Sequence, residues 1–130
     1  MQYVSNEKQG LFWTDHGLFR TYVDLGTLEI DKLECALYAD DREEVFRSAF
    51  VIRVLVFGLR MLHRERPPTD TEVLAMRALR RQCDDALAPF LGAVPPHVLS
   101  TEDSEVPWTA VRIVLWRVLD TFDGGERTSD

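Results

Sequence analysis

The sequence predicts a small, mostly α-helical bundle, and three observations support that fold class. Apolar residues recur at spacings of three and four along most of the chain from residue 27 to residue 123, which is the period of a helix with one buried face. Two segments open with a residue that can cap a helix and carry glutamate three positions later. Proline-rich stretches separate the later segments, at residues 66–68 and 94–96. We expect three main helices and one short helix, with a helix-rich α+β domain as the alternative.

The N-terminal part is expected to add a β-hairpin to this bundle. Between Gly10 and Val23, two aromatic runs lie on either side of Asp15, His16 and Gly17, which is a typical composition for a turn between two short strands. An isolated hairpin is marginal in water. We therefore expect its aromatic side chains to pack on the helices.

The first helix is expected to be the short one, over residues 27–39. Ile30, Leu33 and Leu37 form its apolar stripe. The second helix is expected to begin at Asp40, with Glu43 completing a capping box, and to continue until Pro67.

The middle of the second helix, AFVIRVLVFGLRML at residues 49–62, is apolar on nearly every side. A membrane span needs about 20 apolar residues and tolerates central arginine badly, whereas this run has fourteen residues that include Arg53 and Arg60. We therefore expect a central, almost fully buried helix rather than a membrane segment. A buried strand at residues 50–57 is the alternative that periodicity leaves open.

Two further helices complete the predicted bundle. Apolar stripes at helical spacing mark their buried sides, with Val73, Met76, Leu79, Cys83, Ala86, Leu87 and Phe90 on the first and Trp108, Val111, Leu115, Val118 and Phe122 on the second. The third begins with a capping box of Thr69 and Glu72, and Pro89 should end or kink it. The last runs from about residue 104 or 105 to Asp123, with Pro107 in its first turn. The prediction is thus one globular domain over residues 1–123 and a flexible C-terminal tail over residues 124–130.

Charge and cysteine content narrow the classes of function. The net charge of −7 argues against general nucleic-acid binding, although residues 46–99 are net +3 between acidic flanking segments. Cys35 and Cys83 lack the spacing of a zinc site or a disulfide framework, so we expect two free, buried thiols. The N-terminal residues lack the pattern of a secretory signal, and a cytoplasmic protein that does not contact membranes is expected.

The motifs of several enzyme classes are missing from the sequence. It has no Gly-x-Ser-x-Gly, no glycine-rich phosphate loop and no paired histidines four residues apart. His63, beside Arg60 and Arg64, suggests an anion site, a general base whose pKa is lowered by its cationic neighbours, or a plain surface histidine at the end of a helix. We expect no cofactor, no metal and no catalytic residue.

Two sets of charged residues are the candidate interaction sites. On a helical wheel, four arginines of the second helix lie within about 40° of one another: Arg42, Arg53, Arg60 and Arg64. This arginine strip is a solvated edge, a set of ion pairs within the fold or across a homodimer, or a site for an anionic ligand or partner. The candidate acidic contacts precede the last helix: Glu102, Asp103 and Glu105.

The missing motifs and the acidic segments favour a non-catalytic protein that acts by binding another protein. An immunity protein, an antitoxin, an inhibitor or a chaperone would have this character, and its partner would be a toxin or a nucleic-acid-binding enzyme with a basic surface. The alternative is a helical ligand-binding domain or enzyme whose pocket is lined by tryptophan and arginine.

Overall fold

The computed structural model describes residues 17–92 and 105–124, and these residues form four helices. We number them α1 (Leu18–Tyr38), α2 (Arg42–Glu65), α3 (Asp70–Leu91) and α4 (Trp108–Phe122). The described residues outside the helices lie in turns and short connecting segments, and none belongs to a strand. The predicted mostly α-helical bundle is confirmed, and residues 50–57 are helical.

The four helices pack as a closed ring. Helix α1 lies against α2 and α3, and α4 completes the ring by packing on the same two helices. Each helix therefore has two main neighbours and one side that faces outwards. The expectation that α2 is the central helix is wrong, because the ring has no central helix.

The core lies inside this ring, and all four helices contribute to it. Helices α3 and α4 bury most of the stripes that the sequence predicts, including Leu79 and Phe90 on α3 and Val111 and Leu115 on α4. The remaining members, Val73, Met76 and Phe122, are partly buried. The largest fully buried side chains are those of Phe90, Ile30, Leu33, Leu37, Ile52, Leu59, Leu87, Leu115, Val45, Val56 and Val111. Burial of such side chains is the main force that stabilises a domain of this size.

Helix α1 is longer than the sequence analysis predicts. It has 21 residues and begins at Leu18, so the expected second strand of the hairpin is helical. The expected first strand, residues 10–16, lies outside the described residues. Phe19, Val23 and Ile30 follow helical spacing, and they extend the apolar stripe towards the N-terminus, with Phe19 and Ile30 buried and Val23 partly buried against the core.

A compact turn joins α1 to α2. The amide of Asp41 donates to the Ala36 carbonyl at 2.9 Å, and the amide of Asp40 donates to the Leu37 carbonyl at 3.1 Å, which is the Schellman pattern. Asp40 adopts a left-handed conformation with φ of 55°. The cap of α2 is therefore Asp41, whose side chain accepts from the Glu44 amide, one position later than the predicted pair.

The other helix ends differ in part from the prediction. The capping box of Thr69 and Glu72 is confirmed at the start of α3. Helix α3 continues for two residues beyond Pro89, and α4 begins only after Pro107, which is its cap. After α4, Gly124 adopts φ of 108°, a conformation that favours glycine.

Two further expectations concern the cysteines and the membrane. Cys83 is buried, but Cys35 is exposed, and both are free thiols. Cys35 faces outwards because it lies off the stripe formed by Ile30, Leu33 and Leu37. None of the helices within residues 17–92 and 105–124 combines the length and the hydrophobicity of a membrane span.

Candidate functional site

Three members of the predicted arginine strip lie together, and the fourth does not. Arg53, Arg60 and Arg64 line one groove on the outer side of α2. Arg42 is buried at the other end of the helix, where its Nε donates to Asp40 Oδ1 at 2.8 Å and its Nη1 donates to the Val106 carbonyl. Arg42 therefore ties the α1–α2 turn to the segment before α4, and the interaction strip reduces to the other three arginines.

The arginines of the groove are partly held by α4. Arg53 Nε donates to Thr121 Oγ1 at 3.3 Å, and Arg60 Nη1 donates to the Phe122 carbonyl at 3.0 Å. Arg64 is exposed. Both acceptors are uncharged, so these two contacts orient the guanidinium groups without neutralising them.

A stripe of exposed apolar side chains runs beside these arginines. Phe50, Val54, Phe57 and Met61 follow one another at spacings of four, three and four, and they are 65%, 51%, 60% and 37% exposed. We call these four residues the outer stripe. On a helical wheel it lies roughly 160° from the buried stripe of α2 and about 70° from the arginines.

The outer stripe and the arginines together form what we call the α2 groove, a concavity of about 490 Å³. Its walls are the residues Phe50, Arg53, Val54, Phe57, Arg60, Met61, Arg64, Thr121 and Gly124. An almost fully buried helix would have the apolar flanks of its arginines covered. They are exposed among the described residues, because α2 buries only its inner side in a ring of helices.

An exposed apolar stripe of this kind is uncommon on a helix that only supports a core. Single exposed apolar residues are normal on protein surfaces, but contiguous apolar patches mark binding surfaces. Helical amphipathicity leaves one face polar when only one face is buried. Helix α2 is apolar on two opposite faces, which is the pattern of a helix with a second packing partner.

His63 lies at the C-terminal end of α2 in a cluster that the sequence analysis did not assemble. Its ring stacks on Phe19 at a centroid distance of 5.2 Å, and its Nε2 lies 3.5 Å from Glu72 Oε1. Glu72 in turn accepts two hydrogen bonds of 2.8 Å from Arg66. His63 is thus mostly buried rather than a surface histidine. Only the capping box hinted at this cluster in the sequence, because it places Glu72 at the first turn of α3.

The electrostatics of this cluster follow from burial and pairing. The Arg66 hydrogen bonds, aided by the Thr69 amide, lower the pKa of Glu72 to about 2. Burial is the largest influence on His63, and it lowers the pKa of the imidazole below its usual value, although Glu72 opposes this effect. At neutral pH the cluster therefore holds an ionised Glu72, a cationic Arg66 and a neutral His63.

Neither of the two tryptophans within residues 17–92 and 105–124 lines the α2 groove. Trp108 is buried, with its ring centroid 6.3 Å from that of Phe90, whereas Trp116 is 49% exposed on α4. Trp13 lies outside the described residues. Among the described residues, the arginines of the alternative pocket therefore lie apart from Trp108 and Trp116.

The candidate acidic contacts lie mostly outside the structure that is described. Glu102 and Asp103 belong to residues 93–104, which are outside the described residues, and Glu105 is exposed. Within residues 17–92 and 105–124, no three His, Cys, Asp or Glu side chains form a group that could hold a metal ion. No family model, curated protein or solved structure matches the chain.

Proposed function

We propose that this protein is a non-catalytic binding module that accepts an amphipathic helix of another protein along the α2 groove. The apolar side of that helix packs on the outer stripe, and its acidic edge meets Arg53, Arg60 and Arg64. The observation that supports the proposal is the outer stripe itself, four exposed apolar side chains at helical spacing beside three arginines. Immunity proteins, antitoxins, inhibitors and chaperones are the classes in which such a module is expected.

The dimensions of the stripe fit a helical partner. From Phe50 to Met61 the helix advances about 16 Å at 1.5 Å per residue, which is three turns. Helices that bind in grooves use anchors spaced at three and four residues over such a length. Two phenylalanines supply most of the apolar area of the stripe, and aromatic side chains are frequent hot spots of interfaces.

Charge complementarity selects an acidic partner rather than a second copy of the chain. In a two-fold symmetric antiparallel pair of α2 helices, each edge of the stripe faces the same edge of its copy. The three arginines would then face three arginines, and such like-charge contacts disfavour association. A partner helix with carboxylates along that edge removes this repulsion and matches the guanidinium groups.

The protein's own acidic residues fit a partner that also has a basic surface. Glu105 is exposed just before α4, and the chain as a whole has a net charge of −7. A toxin or a nucleic-acid-binding enzyme with a basic phosphate-binding surface is such a partner. A cytoplasmic setting suits the exposed free thiol of Cys35, because exposed thiols persist in a reducing compartment.

Synthetic peptides test the proposal directly. Two 18-residue amphipathic helices with the same apolar face, one with an acidic edge and one with a basic edge, are titrated by fluorescence anisotropy. We expect the acidic peptide to bind at least about tenfold more tightly, since like charge across an interface is costly. Raising the salt concentration should reduce that difference.

Matched variants locate the binding surface. Phe57→Ala should weaken binding of the acidic peptide by about tenfold or more, as expected for an aromatic anchor. Leu74→Ala is the control, because Leu74 is equally exposed on α3 and does not line the groove. Equal affinity for the two peptides would contradict the proposal. So would a homodimer in analytical ultracentrifugation that Phe57→Ala dissociates.

A further inference from the structure

A second concavity lies between the C-terminal half of α2 and the N-terminal half of α3. It has a volume of about 350 Å³, and its walls are Arg60, His63, Arg64, Val73, Met76 and Arg77. We call it the α2–α3 cavity. It shares Arg60 and Arg64 with the rim of the α2 groove but none of the outer stripe.

Among the described residues, the charged side chains that line this cavity are all arginines. Arg60, Arg64 and Arg77 lie along it, and no carboxylate from residues 17–92 or 105–124 is among its walls. The carboxylate of the neighbouring His63 cluster, Glu72, is already paired with Arg66 through two hydrogen bonds of 2.8 Å. Three guanidinium groups around one concavity repel one another, and an anion placed between them relieves that repulsion.

We propose that the α2–α3 cavity binds a small organic oxyanion, a molecule with a phosphate or carboxylate group on an apolar body. Planar guanidinium groups match the oxygens of phosphate and carboxylate in paired hydrogen bonds. Val73 and Met76, both partly buried, supply the apolar wall against which the body of the ligand packs. The volume lies near the lower end of the range of small-molecule sites, roughly 300–1,000 Å³.

The ligand site and the α2 groove share two arginines, but each also has a residue of its own. Arg77 lines the cavity but not the groove, whereas Phe57 lines the groove but not the cavity. Substitutions at these two positions therefore separate the two functions. Both side chains are exposed, so neither substitution removes core packing.

His63 provides a spectroscopic reporter inside the cavity. Burial holds its pKa below the usual value, while Glu72 raises it and Arg66 lowers it. Arg60 and Arg64 from α2 and Arg77 from α3 share the same cavity. A bound oxyanion adds a negative charge beside the imidazole, and it should therefore raise the His63 pKa.

Phenyl phosphate is the probe for this site. It is titrated into the full chain at low ionic strength, and its binding is followed by calorimetry and by the NMR signals of the His63 ring. We expect saturable binding, a shift of the His63 signals and a rise in the His63 pKa. Inorganic phosphate and benzoate distinguish whether the phosphate group, the apolar ring or any oxyanion suffices. Benzyl alcohol, which is uncharged, should not bind.

Variants of exposed arginines provide the decisive comparison. Arg77→Ala should weaken phenyl phosphate binding at least about fivefold, in line with the loss of one charge-assisted contact. Arg81→Ala, one turn further along α3 and outside the cavity walls, and Phe57→Ala should leave the Kd unchanged. Equal weakening by Arg77→Ala and Arg81→Ala would show general attraction to a basic surface, and it would overturn the proposal. Absence of binding, or binding without a response of the His63 signals, would do the same.

Discussion

Replacing Glu72 by glutamine tests how the corner between α2 and α3 is stabilised. The carboxylate receives two hydrogen bonds of 2.8 Å from Arg66 and one of 3.1 Å from the Thr69 amide. Its side chain is only 7% exposed. Glutamine has nearly the same volume and can still accept from the Thr69 amide, as in a capping box. The substitution therefore removes the negative charge and leaves the packing and the cap in place.

The size of the effect follows from the pKa of Glu72. Folding lowers that pKa from 4.5 to about 2, and at about 1.4 kcal/mol per pH unit this corresponds to roughly 3 kcal/mol of stability. Because the folded state has the lower pKa, the stabilisation is fully present above pH 4.5 and is lost as the pH falls towards 2. At pH 3, about 1 kcal/mol should remain.

Urea unfolding followed by circular dichroism at pH 7 and at pH 3 measures both quantities. Glu72→Gln should cost roughly 3 kcal/mol at pH 7 and about 1 kcal/mol at pH 3 relative to the parent chain. Thr69→Ala is the control, since loss of the N-cap should cost about 1 kcal/mol at both pH values. A Glu72→Gln penalty that is the same at pH 3 and pH 7 would refute the assignment of this stability to the ionised pair.

Three further substitutions or reagents probe the rest of the bundle. A Cβ at position 58 would lie 3.0 Å from Cδ2 of Tyr22 and closer still to Cε2. Gly58→Ala should therefore lower the unfolding free energy by about 1–2 kcal/mol, although alanine has the better helix propensity. An increased melting temperature of the variant would contradict this. Burial raises the pKa of Cys83 to about 12. A thiol reagent should therefore label only the exposed Cys35 in the native chain, and both cysteines in urea. Two reactive thiols in the absence of urea would contradict this expectation. Asp40→Gly relieves the left-handed strain, worth about 1 kcal/mol, but it removes the carboxylate that pairs with the buried Arg42, which costs about 3–5 kcal/mol. The variant should therefore be less stable by chemical denaturation, and a more stable variant would show that the ion pair contributes little.

Much of the fold was predictable where one face of a helix is apolar. The stripes of α3 and α4 predicted Leu79, Phe90, Val111 and Leu115 as core residues, and all four are buried. Local signals also located the capping box at the start of α3. These features depend on neighbours within a few residues, which is the range that sequence patterns describe well.

The predictions that proved wrong concern segments in which tertiary packing decides between two locally plausible structures. The sequence around Asp15, His16 and Gly17 resembles a hairpin turn, yet the chain is helical from Leu18, because Phe19 gains burial against the core in that conformation. The start of α2 was displaced by one residue, since Asp40 is needed for the left-handed turn and Asp41 takes its place as the cap.

The candidate site was predictable only in part for the same reason. The 3.6-residue period placed Arg53, Arg60 and Arg64 on one side of α2, and they do line one groove. It gave no indication of which apolar side of α2 faces the core, because both sides are apolar. That choice depends on α1 and α4, and it leaves Phe50 and Phe57 exposed. The α2–α3 cavity was not predictable from the sequence, because it combines Arg60 and Arg64 of α2 with Arg77 of α3. The period of one helix gives no information on contacts between two helices.

Arg42 bears on the lifetime of the folded protein as well as on its architecture. Helices α1 and α2 are joined by a three-residue turn, so they can associate early, whereas the contact between Arg42 and the Val106 carbonyl joins residues 64 positions apart. Contacts across such long loops tend to form late in folding. Interactions that are absent from the transition state slow unfolding more than they accelerate folding. We therefore expect the buried Arg42 to prolong the lifetime of the folded ring more than it speeds its formation.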